Sequence, residues 1–105
     1  MKTSEALRRV RDHLRDGGYM VAHERWGCYA AEHLYLRGQI GDRDRTKVKR
    51  VLRKHLDGYS SLEAWLEYNH GIPVAHCTPA KLKKIMATRK AWLTHLIEHY
   101  EAKGE

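Results

Sequence analysis

Residues Arg43 to Lys54 read R-D-R-T-K-V-K-R-V-L-R-K, and a helix sorts them into two faces. At 100° per residue, Val48, Val51, Leu52, His55 and Leu56 share one side. Lys47, Lys49, Arg50, Arg53 and Lys54 occupy the opposite arc, with Arg43 beside them. This fixes a rod with one docked side and one cationic side. The window holds seven Lys/Arg and one Asp, whereas the whole chain has 20 basic and 13 acidic residues, a net of +7. Nearly all the excess charge is therefore focused in one stripe, where a polyanion or an acidic partner would land.

The rest of the chain predicts an all-α fold, a compact single-domain bundle of about five helices over residues 1–105. At this length one core is large enough to fold without staples. The first helix is expected to start with Ser4 as N-cap, run to about Asp16 and stop at Gly17-Gly18. Leu7, Val10 and Leu14 make its inward stripe. The second covers about Ala22 to Arg37 and is apolar on most sides, which suits a central position. The third starts near Asp42 and ends before Gly58. A fourth begins at Ser60, where Ser60 and Glu63 have capping-box spacing. The last has the clearest start, with Thr78 as N-cap and Pro79 at the first helical position, where its missing N–H costs nothing. It runs to about Tyr100, long enough that its end would pack on a second copy of the chain. A homo-oligomer through this helix is thus one expectation.

Three polar residues fall within apolar stripes: His33, His55 and Arg89. A buried Arg needs a partner or an aromatic face. Arg89 is expected to snorkel or pair with Glu32 or Asp57, with a pocket for an anionic group as the functional alternative. His33 and His55 read as satisfied core histidines.

Other chemistries find little support. No apolar run reaches 18 residues, so no transmembrane helix and no membrane partner are expected. Met1 to Glu5 lacks an apolar signal core, so a cytoplasmic location is expected. Cys28 and Cys77 then read as thiols, not as a disulfide. His95-Leu96-Ile97-Glu98-His99 matches the H-x-x-E-H zinc pattern, but the motif needs a third ligand and both His face away from the core stripe. His70, His76, Cys77 and Cys28 have loose spacing, so no metal site is assigned. There is no nucleophile elbow and no Gly-rich phosphate loop. No catalytic residue and no cofactor are assigned, and the chain reads as a non-enzyme.

Cys28-Tyr29-Ala30, Ser61-Leu62-Glu63-Ala64-Trp65-Leu66 and Arg89-Lys90-Ala91-Trp92-Leu93-Thr94-His95-Leu96-Ile97 resemble motifs of small tailed-phage and prophage helical proteins. That group has no assigned activity and carries no site residue onto this chain. The resemblance implies a phage accessory protein made in a bacterial cytoplasm, of a kind that acts on host machinery or host defence by binding.

Two functions follow. The first is a basic module that binds a nucleic acid or a nucleotide signal through Arg43, Lys47, Lys49, Arg50, Arg53 and Lys54. Arg8, Arg11 and Arg15 would extend this footprint if the first helix lies beside the third. The second is an inhibitor or adaptor that contacts a bacterial host protein through Trp65, Trp92 and Tyr100, since Trp and Tyr make binding hot spots. Against both stands a solvated basic face that only keeps the chain soluble.

Overall fold

A computed structural model describes residues 1–14, 26–55 and 78–105. Among them are four helices: α1 (Thr3–His13), α2 (Trp26–Leu36), α3 (Asp42–His55) and α4 (Pro79–Ala102). No strand occurs among the described residues. The fold is all-α as expected, but the count is four rather than about five. The helix expected from Ser60 lies outside the described residues, as do Asp57, Trp65 and Cys77. The Cα radius of gyration is 13.4 Å, close to the ~13 Å of a compact chain of about 100 residues.

Apolar spacing selects what each helix buries. Ala6, Leu7 and Val10 of α1 are sealed in the core, and Leu14, already in extended backbone, turns in after them. Trp26, Ala30, Ala31 and Leu34 come from α2, Val48, Val51 and Leu52 from α3, and Ile85, Met86, Leu93, Leu96 and Ile97 from α4. The α4 start at Pro79 agrees with the sequence reading; the Leu82 side chain lies outside the described residues. At 24 residues, α4 spans about 36 Å at 1.5 Å per residue. It packs along α1, while α2 packs on α3.

The α2–α3 contact is close at one point. A Cβ placed on Gly27 would lie 2.7 Å from Leu52 Cδ1, inside van der Waals contact, and Leu52 is fully buried. Any other residue at position 27 would force the Leu52 side chain to shift.

Two helices, α2 and α4, end in the same turn. At the α2 exit, Gly38 N–H donates to Tyr35 O and Gln39 N–H to Leu34 O. After α4, Gly104 N–H donates to Glu101 O and Glu105 N–H to Tyr100 O. These are Schellman closures, with Gly38 and Gly104 at φ +71° and +73°, a region that costs other residues about 1 kcal/mol or more. The second closure aims Glu105 O at the Ser4 N–H, 3.1 Å away.

Ser4 is consequently not the expected N-cap. The cap position lies two residues earlier, at Lys2, and α1 begins at Thr3. Ser4 is buried inside the first turn, and its backbone N–H, orphaned by helix geometry, is satisfied by the C-terminal turn rather than by a side chain. α1 also ends at His13, short of the expected Asp16.

Gly27→Val is expected to destabilise the fold by about 1–3 kcal/mol, the usual cost of overpacking a core contact. Adding Leu52→Ala should make the cost less than additive, because the clash is with that side chain. Urea unfolding of the four variants of this cycle measures both.

Candidate polyanion-binding face

The α3 helix forms because its charges suit its ends. Asp42 and Asp44 lie in the first turn and Arg53, Lys54 and His55 in the last, each sign against the opposite end of the helix dipole. Val48, Val51 and Leu52 pin its rotation by burial. The cationic arc then faces water, but its members differ in what already holds them.

Arg45 and Lys49 are committed. Both pair with Glu32 of α2, and Arg45 also pairs with Asp42 and lies 4.0 Å from the Tyr35 ring centroid. Lys47 donates to Met1 O at 3.1 Å; that partner is neutral, so its charge remains available. Arg43, Arg50, Arg53 and Lys54 are exposed and meet no acid among the described residues. Four of the six α3 cations expected from the sequence therefore stand open, Lys47 is half engaged, and Lys49 is neutralised in place.

The predicted extension along α1 takes a different course. Arg8 pairs with Glu101 of α4, and Arg11 reaches Asp12 and, at 3.2 Å, the Thr94 hydroxyl. α1 does pack against α3 as well as α4, but these side chains are engaged along the α1–α4 seam. Arg15 lies outside the described residues. The helical wheel of α1 shows that its arginines point outward, but not which neighbour they meet.

Arg89 is 1% exposed, with its guanidinium carbon 5.0 Å from the Trp26 ring centroid. It thus sits over an aromatic face and not on Glu32, which α3 occupies. Trp92 is half-buried and packs edge-on against Trp26 with centroids 6.0 Å apart. Tyr100 is 7% exposed and shares a 2.9 Å hydrogen bond with His55. The two aromatic anchors expected to meet a partner are engaged inside the chain. Among the described residues no three His, Cys, Asp or Glu side chains come together to hold a metal ion. His95 Nδ1 lies 4.0 Å from Glu98, while His99 stacks edge-on against His55 and Tyr100. No described helix is long and apolar enough to cross a membrane.

Sequence reasoning missed two cations, Lys2 and Lys103. They line, with Lys47, Arg50 and Lys54, an open groove of about 600 Å³ between α3 and the joined chain ends. A second hollow of about 430 Å³ lies on the other side of Arg50, lined by Glu32, Arg45, Thr46, Lys49 and Arg53. Lys2 and Lys103 lie at opposite ends of the chain, and only the Ser4–Glu105 closure brings them together.

Electrostatics sharpen the contrast. The Lys49 ammonium bonded to Glu32, with the charges of Lys49 and Arg45, holds its carboxyl below the usual range despite partial desolvation. Burial lowers the His55 pKa, helped by the charges of His99, Lys54 and Lys103. Burial, then Glu105, raises that of Tyr100. His55 is therefore neutral in the fold at neutral pH. As pH falls through about 6.5, the unfolded chain takes up a proton before the folded one does. Stability is then full above that value and declines below it. Chemical denaturation between pH 7.5 and 5.5 should show this decline, and His55→Gln should flatten its slope.

No family model matches this chain, and neither does a curated protein or a solved structure.

Proposed function

We propose that this chain is a small non-catalytic binding protein that takes a polyanion, a nucleic acid or a nucleotide signal, on the outward arc of α3. One observation carries the reading: Arg43, Arg50, Arg53 and Lys54 are exposed and meet no acid among the described residues. A stripe that served solubility alone needs net charge but no particular clustering, whereas these four cations sit together on one helix. Open cations clustered on one rigid helix supply phosphate contacts with little ordering cost, and each contact adds a counterion-release term to affinity. Contact with a host protein is the weaker reading, because Trp92 and Tyr100 are used in internal packing. The phage-type resemblance fits either.

Fluorescence anisotropy with a labelled 12-nucleotide strand tests the reading. Arg50→Glu combined with Arg53→Glu is expected to abolish binding while leaving the helical circular dichroism spectrum unchanged. Full affinity in that variant, for single strands, duplexes and nucleotides alike, overturns the reading. Glu32→Gln offers the opposite sign. It removes the acid beside Lys49 and Arg45, so the more positive field of α3 should tighten binding modestly while the slope of log K against log salt stays close to that of the wild type.

A further inference from the structure

The cations of α3 fall into two rows that the fold treats differently. Arg43, Lys47, Arg50 and Lys54 follow one another at i, i+4, i+7 and i+11. Arg45, Lys49 and Arg53 follow at i, i+4 and i+8. Glu32 lies against the second row and pairs with Arg45 and Lys49. Against the first row the fold places further positive charge: Lys2 before α1 and Lys103 after α4.

The result is a groove of about 600 Å³ with five cations on its walls, Lys2, Lys47, Arg50, Lys54 and Lys103, from three separate parts of the chain. Glu105 is the one acid among the residues that line it. The groove is built and not incidental. The Gly104 turn and the Glu105 O to Ser4 N–H bond hold Lys103 beside α1, and Lys47 holds the Met1 carbonyl at 3.1 Å. Thr3, the first residue of α1, also lines it, so the positive end of that helix dipole lies on its wall.

We infer that this groove is the seat of the proposed ligand, and that it recognises a row of consecutive phosphates, with the Glu32 side of α3 left outside the footprint. The inference rests on the polyanion reading above and narrows it to one side of one helix. From Lys47 to Lys54 the helix rises by seven steps, about 10.5 Å at 1.5 Å each. A nucleic-acid strand advances ~3.4 Å per nucleotide, so this row faces about three successive phosphates. Lys2 and Lys103 close on them from the other wall. A single phosphate would leave most of these charges unmet, whereas an extended run would engage them together. Such a run comes from a nucleic-acid strand or from a soluble polyphosphate, and the length of the row favours the strand.

The test uses the full chain and two charge-matched double variants, Lys2→Glu/Lys103→Glu in the groove and Lys83→Glu/Lys84→Glu on the exposed start of α4. Binding of a labelled 12-nucleotide strand is followed by anisotropy across a salt series. The groove variant is expected to weaken binding and reduce the log–log salt slope by roughly two, one per cation. The α4 variant is expected to behave like the wild type. Equal losses in both variants would show bulk charge at work and overturn the inference. So would a groove variant that binds normally while Arg50→Glu/Arg53→Glu does not, an outcome that leaves the polyanion reading standing. No binding by the wild-type chain at low salt overturns both. Titration with inorganic tripolyphosphate separates the sources. Tighter binding of tripolyphosphate than of the strand identifies a soluble polyphosphate, and the reverse identifies nucleic acid. Either order supports the groove, provided Lys2→Glu/Lys103→Glu reduces it.

Discussion

The burial of Val48, Val51 and Leu52 decides what this molecule presents to its surroundings. These three side chains fix the rotation of α3 against the core. With the rotation fixed, every cation of the helix has a set direction. The contact is tight because Gly27 of α2 leaves no side chain between the helices, and Leu52 takes the space. A looser seat would let α3 turn and blur the separation of its two basic rows. Packing at one end of the valines and leucine thus becomes electrostatic patterning at the other.

A second constraint comes from the chain ends. The Gly104 turn satisfies the last carbonyls of α4 and supplies a carbonyl to the first turn of α1. Backbone groups orphaned at two helix ends solve each other's problem. Arg8 with Glu101 adds an ion pair across the same seam; both side chains are well exposed, and such pairs contribute little to stability on their own. The consequence for the surface is larger than for the energy. The seam sets Lys2 and Lys103 opposite α3 and turns a convex basic helix into one wall of a groove.

Much of the fold was legible in the residues. The 3.6-residue period identified α3 and its inward face, and Thr78-Pro79 located the start of α4. The apolar surround of α2 was visible as well, and Trp26, Ala30 and Ala31 are indeed sealed. What periodicity could not supply was the choice of neighbour. Ser4 has the composition of a cap, yet it is drawn into α1 because Glu105 O reaches its N–H. Arg8 and Arg11 were correctly outward, but meet α4 and not α3. Lys49 looked as available as Arg50, but Glu32 of α2 pairs with it. Lys2 and Lys103 gave no local signal, since each is an ordinary lysine near a chain end.

The central claim is that an anion docks on the outward arc of α3. The most direct measurement is a two-dimensional amide NMR titration of the isotope-labelled chain with a 12-nucleotide strand. Shift changes are expected to concentrate on residues 43–54 and on the adjoining ends near Lys2 and Lys103, and to vanish at high salt. Changes centred on α2 or on the start of α4, with residues 43–54 unmoved, would contradict it.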